Sequence, residues 1–260
     1  DEARERSGVR GRWARRIPRC RGAAVECVDA GQPLGATDRE ACMSDAYEAA
    51  GVSLASGAAT IERISDAVKS THDERVVSGI GGFGGVFDLA SLAGIHDPLM
   101  VASTDGVGTK TKLSAAMDLW EGAGGDIVNH GINDVLVQGA IPLFFLDTVA
   151  AQRLDPEIVG RIVEGMAAAC RESKCILLGG ETAEMPGVFM EGSVDIAGTM
   201  VGAVSRSKLL PKAGIQAGYV LVGVASSGLH TNGYSCPLYT SDAADDLLCV
   251  TLCARCLNKE

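Results

Sequence analysis

Three apolar runs that each lead into a carboxylate constrain this chain more than any other feature. Leu99–Ala102 leads to Asp105, Pro142–Leu146 to Asp147, and Cys175–Leu178, through two glycines, to Glu181. Short apolar runs bounded by turn formers read as buried strands. Stretches with helical spacing lie around them. Ile61, Ile64 and Val68 mark one face of a helix over 58–70. Leu113, Met117 and Trp120 mark the inner side of the segment that follows Val107. Ile127, Gly131, Asp134 and Gln138, with Val128, Ile132 and Val135, recur at three to four residues over 125–139. Asp155-Pro156-Glu157 opens a helix with a cap and a proline in favoured places, and Ile158, Ile162 and Met166 form its inner face. Val194–Val204 and Tyr219–Ala225 add two further strands. Strands alternating with helices predict a mixed α/β fold, a sheet with flanking helices.

Charge divides the chain. Residues 1–42 hold nine arginines and seven acids, and residues 236–260 hold two basic groups and four acids. The span between has 12 basic and 22 acidic groups, so it carries the whole net charge of −10. An acidic body argues against nucleic acid as a partner, and a polyphosphate bound to it calls for a divalent metal. No apolar run reaches the ~20 residues of a membrane span. Of nine cysteines only Cys170 and Cys175 fall in the body, which fits a reducing cytoplasm better than a disulfide framework. Cys253-Ala-Arg-Cys256 has no second pair and no nearby histidine, so it does not make a zinc site. Residues 1–42 read as a disordered, non-native leader, 43–210 as the main domain with a boundary in Ser205–Pro211, 211–235 as the start of a second domain, and 236–260 as a foreign, disordered tail.

The chemistry concentrates in Thr104-Asp105-Gly106-Val107-Gly108-Thr109-Lys110. Glycines let a backbone approach a ligand and aim its N–H groups inward, a carboxylate beside them can hold Mg²⁺, and a lysine can meet phosphate. The spacing is neither the P-loop nor the dinucleotide fingerprint. Gly79, Gly81, Gly82, Gly84 and Gly85 crowd into one short segment, which is either a mobile loop or a backbone nest for an anion. Asn133 and Asp134 sit mid-helix, where short polar side chains are poor helix formers. Three strands that end in acids, with Glu184 and Asp195 close by, make the pattern of a metal site at one edge of a sheet. Ser226–Ser235, rich in hydroxyls and glycine, suits an anion or a polar surface loop.

These residues, with Ile132–Ala140, Leu178–Gly187 and Ser226–Ser235, stand in the order found in phosphoribosylformylglycinamidine cyclo-ligase (AIR synthetase), and residues 43–235 closely resemble the N-terminal portion of that family. The resemblance implies a mixed α/β domain that dimerises through a shared β barrel. It also implies ATP-dependent cyclisation of formylglycinamidine ribonucleotide to aminoimidazole ribonucleotide, in purine biosynthesis and in the cytoplasm. On that footing Asp105, Asp134, Glu181 and Asp147 would hold Mg²⁺. The nucleotide would meet Gly79, Gly81, Gly82, Gly84, Gly85, Thr104, Asp105, Gly106, Gly108, Thr109, Lys110 and Asn133. Ser226, Ser227, Gly228, His230 and Asn232 would face the substrate. After Ser235 the pattern stops, so the resemblance implies little or no activity for this chain alone. The alternatives are a non-catalytic Mg-ATP-binding dimerisation module, or another superfamily member such as FGAM synthetase.

Overall fold

A computed structural model describes residues 47–48, 50–80, 84–210, 215–225, 230–232 and 234–235. The expected leader and tail, together with Gly81, Gly82, Ser226, Ser227 and Gly228, lie outside the described residues. Among the described residues, besides short 3-10 turns at Leu89–Leu92 and Arg206–Lys208, four α-helices and four strands make up the body. In chain order they are α1 (Leu54–Lys69), β1 (Pro98–Gly106), α2 (Lys110–Met117), α3 (Trp120–Leu136), β2 (Ile141–Ala151), α4 (Pro156–Glu172), β3 (Ile176–Glu184) and β4 (Val194–Ser205). The sheet order is β1-β4-β2-β3. β4 runs antiparallel to both β1 and β2, while β2 and β3 are parallel. A parallel pair needs a crossover, and α4 supplies it.

The helix starts are local chemistry. Ser53 accepts a hydrogen bond from the Ser56 N–H, so α1 begins four residues before the expected 58. Asp155 accepts from the N–H groups of Glu157 and Ile158 with Pro156 in the first turn, as its sequence predicts. Two helix faces differ from expectation. In α1, Ile64 and Val68 are buried but Ile61 is exposed, and Thr60 takes the inner position with its hydroxyl donating to the Ser56 carbonyl. Met117 is exposed, and Trp120 is buried as the first residue of a separate helix. Asp118, in the left-handed region at φ 54°, ends α2, so the spacing does not carry across it.

α3 and α4 cover one face of the sheet and share its core, where Ile127, Val128, Phe145, Val149, Ile162, Met166, Leu177 and Met200 are fully buried. The two helices cross at glycines. A Cβ on Gly124 would fall 1.9 Å from the Ile162 carbonyl oxygen, and one on Gly165 would fall 2.0 Å from that of Glu121. α1 lies on α4, with Arg63 paired to Glu157 and Glu164. No described helix covers the opposite sheet face, which presents Met100, Thr104, Leu146 and Thr199. Among the described residues no helix is long and apolar enough to cross a membrane.

Two strand readings are corrected. The carboxylates do not end their strands. Pairing continues through Asp147 to Ala151 and through Glu181 to Glu184, and Asp105 is the penultimate residue of β1. Tyr219–Ala225 forms no strand, and Val220, Leu221, Val222 and Val224 are exposed. No partner strand pairs with them among the described residues, and an unpaired apolar run has nothing to satisfy its backbone.

Candidate metal and phosphate site

Asp126, His130 and Asp134 recur every four residues along α3 and so share one stripe, while Ile127, Val128, Gly131 and Val135 face the core. That stripe meets β1. His130 Nε2 lies 2.8 Å from Asp105 Oδ2 and 3.9 Å from Asp134 Oδ2. The Ser103 hydroxyl donates to Asp134 Oδ2 at 2.5 Å, and the second oxygen of Asp105 accepts from the Gly106 N–H at 2.7 Å. Ser103 and Asp105 alternate onto the same side of the edge strand. One ligand atom from each of Asp105, His130 and Asp134 lies within 4.8 Å of the others. Alongside runs an open groove of about 540 Å³ lined by Met100, Ala102, Ser103, Asp134, Gln138 and Leu209.

Lys110 starts α2 on the far side of the Gly108 turn. Its ammonium contacts the Asp126 carboxylate, donates to the His230 carbonyl at 2.8 Å and stands 5.0 Å from the centre of the Tyr234 ring. Thr109 and Ser235 share a hydroxyl hydrogen bond of 2.9 Å. The β1–α2 turn, α3 and the segment around His230 therefore converge on one cation. His230 and Asn232 are exposed, and Thr231 between them is buried.

The remaining sequence-predicted residues lie apart from this cluster. Thr104 turns to the uncovered face, where its hydroxyl bonds that of Thr199 at 2.7 Å, and Asn133 is exposed. Gly79, Gly84 and Gly85 belong to a turn closed by Val77 and Val86. Gly85 lies against Leu178 of β3, the opposite edge of the sheet from β1. Glu181 is on β3 beside Thr148, and Asp195 is exposed on β4. Glu184 is a clamp: its two oxygens accept from the N–H groups of Ser53 and Leu154, at 2.5 and 2.9 Å. Asp147 shares a cross-strand row with Asp105 through Gly198. The Phe145 ring lies over that glycine, 2.0 Å from where a Cβ would sit, and screens the two carboxylates from each other. Burial, with a smaller push from the charge of Glu181, raises the Asp147 carboxyl to about 7.

Sequence reasoning missed Asp126 and His130. Their four-residue spacing with Asp134 was the available signal, but such a stripe reads equally as a solvated helix face.

A carboxylate pair with an imidazole between them stands one turn of α3 from the aspartate that contacts Lys110, on a sheet with two helices on one face. Residues 88–204 match the family described as AIR synthase related protein, N-terminal domain. Similar relatives include phosphoribosylformylglycinamidine cyclo-ligases. The chain is 48% identical over 193 residues to that of Geobacillus sp. (strain WCH70) and 49% identical over 193 residues to that of Bifidobacterium animalis subsp. lactis (strain AD011). Each alignment takes in 74% of this chain and 56% of the relative, so the chain spans about half the length of the curated relatives it matches. E. coli HypE, a hydrogenase maturation protein of known crystal structure, aligns at 20% identity and a TM-score of 0.47, covering 62% of this chain and 46% of HypE.

Proposed function

We propose that this chain is the nucleotide-handling part of an ATP-dependent cyclo-ligase that converts formylglycinamidine ribonucleotide to aminoimidazole ribonucleotide. In that reaction ATP phosphorylates the amide oxygen of the substrate, a substrate nitrogen attacks the activated carbon, and inorganic phosphate leaves as the imidazole ring closes. The observation that carries the reading is the convergence of Asp105 and Asp134, from separate elements, beside Lys110 in a stretch nearly half identical to named cyclo-ligases. The carboxylate oxygens suit a hard divalent cation, so Asp105 and Asp134 would hold Mg²⁺. The ion would offset the charge of a triphosphate against an acidic chain. Lys110 would exchange Asp126 for a phosphate oxygen. The segment around His230, already seated on Lys110, would bring the substrate side with Asn232 to the same place. Ser226, Ser227 and Gly228 remain proposed substrate contacts from the sequence alone. Glu181, Asp147 and the Gly79–Gly85 turn are the remaining proposed contacts, and they lie across the sheet from the cluster.

Equilibrium binding of ATP to the chain with and without Mg²⁺ tests the reading. Binding should depend on the metal and fall about tenfold or more in Asp105→Asn, roughly 1.4 kcal/mol. Metal-independent binding, or none, would refute it. We further propose that the uncovered face of the sheet, with Met100 and Leu146 exposed, pairs with a second copy of the chain. A monomer in sedimentation equilibrium at micromolar concentration would overturn that assignment.

A further inference from the structure

The proposed oxygen site contains a donor that the nucleotide reading does not use. His130 projects from the middle of α3, its side chain only 13% exposed, with Nε2 between the carboxylates of Asp105 and Asp134. Its surroundings decide what that nitrogen can do. Two donor atoms bound at about 2.1 Å to one ion stand about 3.0 Å apart when adjacent and about 4.2 Å apart when opposite. The observed separations of 2.8 and 3.9 Å from His130 Nε2 to the two carboxylate oxygens fall close to these values. The three ligands come from two elements whose relative position is set by the core. The open groove beside Ser103 and Asp134 leaves room for water or a ligand oxygen to complete the shell.

We propose that His130 is the third protein ligand of the cation held by Asp105 and Asp134, and that this nitrogen makes the site select a divalent transition cation over Mg²⁺. The inference rests on the reading of Asp105 and Asp134 as cation ligands given above. Its reasoning is one of donor chemistry. Carboxylates and water suit Mg²⁺, whereas imidazole favours the later first-row cations, whose affinities for a mixed nitrogen and oxygen site rise in the order Mn²⁺, Co²⁺, Zn²⁺. A cation seated among the three groups would take one bond from His130 Nε2 and one from each carboxylate, in place of the 2.8 Å approach of His130 to Asp105. The Ser103 hydroxyl, which donates to the same Asp134 oxygen, orients that carboxylate, the role that outer hydrogen-bond partners play at metal sites.

Mn²⁺ is the probe of choice because it is paramagnetic and binds weakly to thiols, of which the chain has nine. Electron spin-echo spectra of the full chain loaded with Mn²⁺ should show nitrogen modulation from a bound imidazole. His130→Gln should abolish that modulation and weaken Mn²⁺ binding by about tenfold or more, while Mg²⁺ binding changes less than twofold. Asp134→Asn should weaken both cations, which ties the signal to this cluster. Calorimetry of the wild-type chain should rank Mn²⁺ above Mg²⁺. Mn²⁺ that binds without nitrogen modulation overturns the proposal, as does failure of Mn²⁺ to bind or an equal preference for Mg²⁺. The wild-type spectrum decides the matter even if a variant does not fold. ATP binding in the same samples separates this inference from the reading it rests on. Nitrogen-ligated Mn²⁺ with no metal-dependent ATP binding would remove the nucleotide role alone. Metal-dependent ATP binding without nitrogen ligation would remove the role of His130 alone.

Discussion

Replacing Asp147 with Asn should make the fold less sensitive to alkali. Asp147 lies on the helix-covered face of β2, 8% exposed, with its ordinary value of 3.8 raised to about 7 by burial. In the folded chain the carboxyl therefore holds its proton in a range where the unfolded chain has released it. The folded state binds more protons between about pH 4 and pH 7, so stability falls as pH rises through that window and is greatest below it. At about 1.4 kcal/mol per pH unit, ionising this group costs the folded state roughly 4 kcal/mol in all. Most of that loss, roughly 3 kcal/mol, falls between pH 5 and pH 8. Asn is nearly isosteric and never ionises. Asp147→Asn should match the wild type within about 1 kcal/mol at pH 5 and exceed it by roughly 2–3 kcal/mol at pH 8. Urea unfolding of both chains at the two pH values measures this, and taking the difference removes the contribution of the four histidines. Equal pH dependence in the two chains would show that the carboxyl is solvated or already paired, and the reasoning from burial would fail.

Two further outcomes follow from packing. Gly165→Ala should lower stability by about 1–2 kcal/mol, because overpacking against the Glu121 carbonyl costs about 1–3 kcal/mol and the gain in helix propensity returns at most about 1. A thermal melt that stays level or rises would show that α3 and α4 can separate at no cost. Glu184→Ala should cost about 2 kcal/mol in urea unfolding, since it strips charge-assisted bonds from the N–H groups of Ser53 and Leu154. An unchanged midpoint would make Glu184 a surface acid and reopen it as a ligand.

The elements were legible because their apolar runs are long and clean. Pro142–Leu146 and Cys175–Leu178 have the composition of buried strands, and the Asp155-Pro156 start of α4 is a local signal that needs no tertiary context. Strand ends were not legible, because they depend on how far a neighbour keeps pairing. β2 runs to Ala151 against both β3 and β4, and nothing in the residues around Asp147 records that. The site divides the same way. Asp105 and Asp134 meet because β1 and α3, separated in the chain by the short α2, pack together. Glu181 follows an equally clear apolar run, yet the strand order puts it at the other edge of the sheet. Its place depends on topology rather than on anything within nine residues of it. His130 was not legible because a polar stripe at four-residue spacing reads equally as a solvated helix face until its neighbour in space is known.

The glycine crossing of α3 and α4 separates two jobs that one helix performs. With backbone against backbone at Gly124 and Gly165, α3 has no slack to roll about its own axis. The side chains at 130 and 134 then point at β1, and that at 126 points at the start of α2. On the proposed reading of the cluster, a substitution there would alter which ion or anion is welcomed while the scaffold stays in place, so a lineage could retune its ligand preference one helical turn at a time without first having to refold the domain.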